Sequence, residues 1–448
     1  MNIALIICAI IIAIATLVLL TIKAKLHPFF SLTAASLVFG VITGVSVPDI
    51  ISAFSKGMGE TVAGIGVVIA IGTVIGTLLE RSGAAETMAR TILKLTGPKH
   101  ASLGLAITGY FVSIPVFCDS AYVLLSPLAK RMSRDTGISM TTMGLALAFG
   151  LHATHMLVPP TPGPLSVAGI LGADLGMVIL MGMLVSIPVT GVALLMGKIF
   201  GKKHHYLPES IEEVDVKAKL PSPVLSFAPI LVPILLMLLN TVASLQSAPF
   251  GADNFVTAAF SALGQPVSAL FIGLIIAFFA YRSIHPEDRD IWGFDGGFGD
   301  ALKTAGQIVL IVGAGGAFAS VLKTAPIEEM VHTYFSGLAA GILIPYIIGA
   351  IFRTAIGSGT VGMITAASML LPLMGTLGFD TPMGRVVAML ACAAGGMMVF
   401  HGNDDFFWVI TSTSEMGPDI AYKTIPITSV VQSVTALICV FILQFILL

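Results

Sequence analysis

Residues 113–120 of the chain read SIPVFCDS, and a second polar break, at residues 355–360, reads AIGSGT. Each break interrupts a long apolar stretch. A further pair follows in the same order, because residues 152–164 read HATHMLVPPTPGP and residues 401–405 read HGNDD. Matching Gly/Pro-interrupted segments in the two halves of an apolar chain are typical of secondary transporters. The substrate site is therefore expected where the breaks meet.

The composition indicates that the surrounding medium is a lipid bilayer. The chain is 56% apolar and only 10% charged, whereas soluble domains are about 25% charged. It contains many apolar runs of about 20 residues, the length that crosses the ~30 Å hydrocarbon core. The first of them, residues 3–20, has no basic segment before it and no small-residue cleavage site after it, so we interpret it as a retained span. A net charge of −2 does not favour a nucleic-acid partner.

The sequence predicts an all-α polytopic membrane protein with two kinds of apolar segment. Continuous spans are expected at residues 2–22, 29–47, 61–79, 176–198, 223–245, 265–281, 302–322 and 425–447. Four segments are interrupted. Residues 101–129 and 337–374 are interpreted as re-entrant hairpins, and residues 139–172 and 384–413 as unwound transmembrane helices. Non-helical backbone at membrane depth must be buried in protein or line a wet cavity.

The distribution of basic residues predicts how the chain is threaded. With Lys23 and Lys25 in the cytoplasm, most other basic residues also fall inside, as the positive-inside rule requires. The exceptions are Lys56, Lys323 and Arg385 outside and Arg353 within the membrane. The two hairpins then enter from opposite sides, so the repeats are inverted. The expected organisation is a first membrane half at 1–200, a cytoplasmic linker at 201–221 and a second half at 222–448. The duplicated segments 72–86 and 315–328 precede the hairpins in the two halves.

Three acidic residues lie inside the interrupted segments: Asp119, Asp404 and Asp405. A charge within the bilayer is costly, so such residues are candidates for function and for carrying protons. Asp119 and Asp404 are the expected proton-coupling residues. Asp119 could also cap the helix that follows it. Asp405 is expected to cap the half-helix at residues 406–408, in which Trp408 would serve packing.

The two hairpin tips offer groups that could bind an anion. Residues 118–121 and 357–360 would present backbone N–H groups and the positive end of a helix dipole to a carboxylate. Small residues at these tips could instead allow close helix packing. Arg353 offers a planar fork that matches a carboxylate, but it could equally pair with an internal aspartate or point outward.

Histidines border the other two breaks. His155 and His401 could bond substrate hydroxyls or relay a proton, or simply join two helices. The H-x-x-H pair formed with His152 is a weak zinc signal with no third ligand nearby, and the four cysteines show no paired spacing. No metal or other cofactor is therefore expected. The expected substrate-binding residues are Cys118, Asp119, Ser120, His155, Thr161, Arg353, Gly357, Ser358, Gly359, Thr360, His401, Asn403 and Asp404.

These motifs, taken in order, resemble those of the gluconate:proton symporter (gluconate permease) family over essentially the whole chain. The resemblance rests on residues 22–25, 82–86, 117–119, 155–164, 313–318, 357–361 and 401–404. Thr161 stands where the family commonly has His. The resemblance implies an ion-transporter fold with inverted repeats and a homodimeric scaffold in the bacterial inner membrane. It also implies import of gluconate or a related small hydroxy carboxylate together with protons.

Two other functions stay open on the residues alone. The first is a sodium-coupled organic-anion carrier or an antiporter. The second is an intramembrane hydrolase, in which Ser120 or Ser358 would need an activating histidine. Neither a nucleophile elbow nor a metal motif accompanies these serines, so the sequence favours a carrier over an enzyme.

Overall fold

The computed structural model describes residues 3–209, 219–244, 250–251, 254–325 and 341–448. Within these ranges the chain forms α-helices and short 3-10 turns and contains no β-strand. The α-helices are α1 Ile3–Ile22, α2 Pro28–Ile42, α3 Val47–Arg81, α4 Ala84–Thr96, α5 Ala101–Val112, α6 Cys118–Thr136, α7 Met140–Leu157, α8 Pro162–Leu171, α9 Leu175–Lys203, α10 Pro223–Ala243, α11 Phe255–Leu263, α12 Pro266–Ile284, α13 Gly297–Leu322, α14 Leu343–Ile356, α15 Gly359–Leu370, α16 Pro382–Gly396, α17 Asp405–Thr413 and α18 Pro418–Leu447. Parts of three predicted features lie outside the described residues: the linker at 210–218, the duplicate at 326–328 and the start of the second hairpin at 337–340.

The prediction of an all-α membrane protein is confirmed. In the described ranges, seven helical stretches are long and apolar enough to cross a membrane. They are Val47–Arg81, Met140–Leu171, Leu175–Lys203, Pro223–Ala243, Pro266–Ile284, Asp290–Leu322 and Pro418–Leu447. Shorter apolar helices, Cys8–Thr21 and Pro28–Ile42, precede the first of these stretches, and three more lie between the last two.

Helix α3 is much longer than the span predicted at residues 61–79. It begins at Val47, where the Ser46 hydroxyl accepts a hydrogen bond from the backbone N–H of Asp49. Hydropathy alone places the start of this span after Lys56 and Glu60. These two side chains instead lie one helical turn apart on the exposed part of α3, 3.9 Å from each other. A capped helix can thus continue well beyond its apolar section.

All four predicted breaks interrupt helices. The chain leaves α5 at Val112 and re-enters a helix at Cys118, and α7 and α8 are separated by residues 158–161. In the second half, α14 and α15 are separated by residues 357–358, and α16 and α17 by residues 397–404. The last break opens earlier than expected, at residue 397 rather than 401. The breaks follow the same order in the described parts of both halves, whereas the re-entrant course of the hairpins stays a prediction.

Helices from one half pack against half-helices of the other, and this brings the breaks together. Helix α6 contacts α17, and the Tyr122 hydroxyl lies 2.6 Å from the Ser414 hydroxyl. Helix α8 contacts α15 at Gly163, where a Cβ atom would lie 2.9 Å from the Met363 sulfur. Helix α7 runs through the centre, and every one of its residues is buried. Side chains of α7 can therefore reach a site formed between the two halves.

Candidate functional site

A cavity of about 140 Å³ lies where three of the four breaks approach α7. Its volume is close to that of an engineered protein cavity that holds benzene, about 150 Å³. The lining comes from the starts of α6, α15 and α17, from α7 and from the end of α14. The lining residues are Cys118, Asp119, His152, His155, Met156, Arg353, Gly357, Ser358, Gly359, Thr360, Asp404, Asp405 and Phe406.

Arg353 and Asp404 form a buried ion pair on one side of this cavity. Arg353 Nη1 lies 2.5 Å from Asp404 Oδ2, and the two side chains are only 4% and 7% exposed. The same nitrogen donates to the carbonyl of Gly357 at 2.8 Å, and the guanidinium carbon lies 4.9 Å from the centre of the Phe400 ring. Of the three possibilities given for Arg353, the structure therefore has pairing with an internal aspartate.

Asp404 also caps α17. Its Oδ1 atom accepts a hydrogen bond from the backbone N–H of Phe406 at 2.7 Å, so both carboxylate oxygens have partners. The expectation that Asp405 is the cap was wrong, because the helix begins one residue earlier relative to the aspartate pair than assumed. Asp405 is exposed in the first turn. Trp408 is partly exposed, and its indole N–H donates to the carbonyl of Gly402.

Asp119 has a different environment from Asp404. It lies in the first turn of α6, while the N-cap position belongs to Phe117. Its Oδ1 atom is buried without a hydrogen-bond partner among the described residues. Buried polar atoms almost always have a partner, so an unpartnered carboxylate oxygen at a cavity marks a place for a ligand or a proton.

Three more cavity-lining groups are buried without a partner in the described part of the chain. They are His152 Nε2, His155 Nδ1 and Arg353 Nε. Together with Asp119, they bring acceptors and donors to one small space. A polar ligand with hydroxyl and carboxylate groups is the kind of molecule that satisfies such a set.

The protonation of the His152 ring follows from its contact with Gln432. The amide nitrogen of Gln432 donates to the carbonyls of Phe149 at 2.9 Å and Val189 at 3.3 Å. The amide oxygen therefore faces His152 Nδ1, 3.2 Å away, and Nδ1 must carry the proton to donate to it. Nε2 is left as an acceptor at the cavity, suited to a substrate hydroxyl.

Besides the start of α17, which Asp404 caps, two helix N-termini open onto the cavity. Helix α6 contributes Cys118 from its first turn, and α15 contributes Gly359 and Thr360. The first N–H groups of a helix have no partner within it and favour an anion. Gly357 turns the chain between α14 and α15 with φ +85°, and a Cβ atom there would lie 2.1 Å from the carbonyl oxygen of Asn403. Only glycine fits this turn.

Four of the predicted site residues do not line the cavity. The Thr161 hydroxyl donates to the carbonyls of His155 and Val158, and the Asn403 amide donates to the carbonyl of Thr354. Ser120 interacts with the Glu80 carboxylate. The fourth is His401, whose carbonyl accepts from the N–H of Asp404. The other nine predicted residues meet around the cavity: Cys118, Asp119, His155, Arg353, Gly357, Ser358, Gly359, Thr360 and Asp404.

Sequence reasoning missed His152, Met156, Asp405 and Phe406 as lining residues. For His152 a signal existed, because it lies one helical turn before His155. Nothing in the sequence pointed to the contact of Gln432 with His152, since the two residues belong to different halves. Within the described ranges, no group of three or more His, Cys, Asp or Glu side chains is arranged to hold a metal ion.

Comparison with known proteins gives full-length relatives. An uncharacterized permease of Haemophilus influenzae is 36% identical, covering 89% of this chain and 84% of the relative. A gluconate permease of Pseudomonas aeruginosa is 31% identical over 96% of both chains. The D-serine transporter DsdX of Escherichia coli K12 is 31% identical over 97% of both chains.

Among solved structures, the chain resembles the YdaH transporter of Alcanivorax borkumensis, whose topology is described as unusual. The TM-score is 0.61, with 90% of this chain and 89% of that one covered. At 16% sequence identity, this likeness concerns the fold alone. The sequence profile of the GntP family permease matches residues 4–446. The chain is therefore a multi-pass inner-membrane protein that belongs to the GntP family of permeases.

Proposed function

We propose that this permease imports gluconate or a related small hydroxy carboxylate together with protons. The observation that carries the proposal is the set of unpartnered polar groups around the cavity, combined with the helix N-termini of α6 and α15. The N-termini supply dipoles for the substrate carboxylate. His152 Nε2 and His155 Nδ1 supply partners for its hydroxyls.

Charge balance supports coupling to a cation. The described lining contains three aspartates and one cation, Arg353, whose charge is already opposed by Asp404. A substrate carboxylate adds a further negative charge in a region where desolvation is costly. A proton that enters with the substrate and resides on Asp119 offsets this charge. The protonated carboxyl group can then donate a hydrogen bond to the substrate.

Cavity size favours the shorter members of the substrate class in this conformation. The volume of about 140 Å³ matches a molecule the size of benzene. Glycerate and D-serine have about as many heavy atoms as benzene, and gluconate has about twice as many. We therefore expect three-carbon hydroxy acids to fit the cavity as it stands and gluconate to require it to widen. Competition against labelled gluconate by a graded series of hydroxy acids measures this preference.

Uptake into proteoliposomes tests the coupling. In sodium-free buffer, an inward proton gradient should drive accumulation of intact labelled substrate. Asp119→Asn should abolish accumulation while substrate exchange partly persists, because asparagine resembles the protonated carboxyl group but cannot release a proton. Asp380→Asn, at an exposed site away from the cavity, is the matched control.

The outcomes separate the alternative functions. Accumulation that requires sodium and ignores the proton gradient indicates a sodium-coupled carrier, and countertransport of a second anion indicates an antiporter. Conversion of the label without accumulation indicates a hydrolase. Accumulation that still follows the pH gradient in Asp119→Asn removes Asp119 from the coupling role.

The proposal includes the inverted orientation of the two halves, 1–200 and 222–448, around the cytoplasmic linker. Cysteines introduced at 201–209 should react only from inside, and cysteines at 254–264 from outside. Cysteines at the two hairpin tips, residues 118 and 358, should be reached from opposite sides. Labelling of both tips from one side in every state contradicts the hairpin arrangement. The family resemblance also supports a homodimer, which crosslinking in membranes can test.

A further inference from the structure

A second and larger cavity, of about 560 Å³, lies among helix ends away from the substrate cavity. It is formed where α5 begins, where the chain turns from α6 into α7, and along the last turns of α9. None of its lining residues lines the substrate cavity. The sequence places these helix ends on the cytoplasmic side, where basic residues concentrate.

The lining of this cavity is basic. Lys99, Lys198 and Lys202 contribute three cations, and His100 and His205 lie beside them. No aspartate or glutamate belongs to the described lining, and none of the three lysines forms an ion pair with a described residue. The cavity therefore combines a positive charge with room for an anionic group.

Two helix N-termini add to the positive potential. Ser102 lies in the first turn of α5, and Ser139 is the N-cap of α7, where its hydroxyl accepts the N–H of Thr141 at 3.2 Å. The first N–H groups of α7 are already bonded, that of Met140 to the carbonyl of Tyr206 and that of Thr141 to Ser139. Only the positive end of each helix dipole therefore supplements the lysine charges.

One face of α9 connects the basic cavity to the lipid. Leu195, Lys198, Ile199 and Lys202 follow the spacing of a single helix face. Leu195 is 55% exposed and Ile199 is 50% exposed, on a helix that is long and apolar enough to cross the membrane. Along α9, Leu195 lies nearest the middle and Lys202 nearest the end, with Lys198 and Ile199 between them. A lipid whose acyl chains lie against the exposed Leu195 and Ile199 can therefore bring its headgroup to the lysines near the end of the helix.

We propose that this cavity binds an anionic phospholipid of the cytoplasmic leaflet. Its phosphate would lie among Lys99, Lys198 and Lys202, and its acyl chains would lie along Leu195 and Ile199. Basic pockets between transmembrane helices on the cytoplasmic side are known to hold anionic headgroups. The apolar wall favours a lipid over a free phosphate, because a free phosphate makes no favourable contact with exposed leucine and isoleucine side chains.

Native mass spectrometry of the purified full-length protein tests the site with phosphatidylglycerol and, as a neutral comparison, phosphatidylcholine of the same acyl chains. Phosphatidylglycerol should remain bound under conditions that strip phosphatidylcholine. The triple variant Lys99→Gln, Lys198→Gln and Lys202→Gln should bind it roughly 100-fold more weakly. This figure follows because the loss of each lysine near the headgroup weakens binding about fivefold. The corresponding triple Lys→Arg variant keeps the charge and should retain binding.

A matched control removes three lysines that do not line the cavity: Lys94→Gln, Lys203→Gln and Lys423→Gln. It should bind phosphatidylglycerol as the native protein does. An equal loss of phosphatidylglycerol binding in this control would show that basic residues attract the lipid without a specific site, and it would overturn the proposal. Equal binding of phosphatidylcholine and phosphatidylglycerol to the native protein would also overturn it. Displacement of the lipid by millimolar inorganic phosphate would assign the site to a free anion instead. If the triple variant fails to fold, the single Lys198→Gln variant should still show about fivefold weaker binding.

Discussion

Asp404→Asn should destabilise the protein strongly, although it changes only one oxygen into an amide nitrogen. The carboxylate lies 2.5 Å from Arg353 Nη1, and both side chains are almost completely buried. Removing one partner from a buried ion pair leaves the other charge without compensation, which costs about 3–5 kcal/mol. The cap of α17 should survive, because asparagine is as good an N-cap as aspartate. The loss of stability in this variant therefore measures the ion pair separately from the helix cap.

Asp405→Asn is the matched control for this variant. Asp405 is the next residue, exposed in the first turn of α17, so its replacement removes only a favourable interaction with the helix dipole, worth about 0.3–1 kcal/mol. Unfolding of the purified proteins in detergent, followed by tryptophan fluorescence, compares the two. The double variant Asp404→Asn, Arg353→Met removes both charges and should recover much of the stability.

Two results would refute this reasoning. One is an equal loss of stability in Asp404→Asn and Asp405→Asn, which would mean that the ion pair contributes nothing beyond a surface charge. The other is a double variant no more stable than Asp404→Asn alone, which would mean that the uncompensated arginine is not the source of the loss.

Three further outcomes are expected. Arg353→Lys should lower the maximal rate or the yield of folded protein while substrate affinity in a binding assay stays nearly unchanged, and a large rise in KM would instead assign the arginine to the substrate. Gly357→Ala should destabilise the protein by more than the ~1–2 kcal/mol cost of a left-handed residue, because its φ is +85° and its Cβ would also meet a backbone carbonyl. The control is Gly378→Ala, which has φ +77° and open space around the Cβ, so it measures the backbone cost alone. Equal losses of stability in the two variants would contradict the clash at Gly357. Gln432→Leu removes the partner that fixes the His152 ring, so KM should rise roughly 5- to 10-fold, and an unchanged KM would remove this histidine from substrate binding.

The sequence by itself determined where the helices break. Proline removes a backbone hydrogen bond from a helix, and glycine lowers the cost of unusual φ angles. Where they stand among polar residues, near Pro115, Pro159 and Gly357, the breaks could be predicted from local chemistry, whereas isolated prolines such as Pro127 and Pro188 stay within helices. Their repetition in the two halves and the apolar spans between them indicated a carrier. The nine predicted residues that meet around the cavity lie in or near these breaks and the fourth break at residues 397–404.

Only the tertiary structure decided which groups in the breaks are partners. Arg353 and Asp404 lie on separate helices, and the sequence left open whether the arginine binds substrate, an aspartate or neither. Thr161 lies in a break, but its hydroxyl is used by nearby carbonyls. His152 gains its role through Gln432, a residue far along the chain. The physical reason is that backbone breaks follow from local conformational preference, whereas buried charges and hydrogen bonds are satisfied by whichever side chains the packing of the two halves brings within reach.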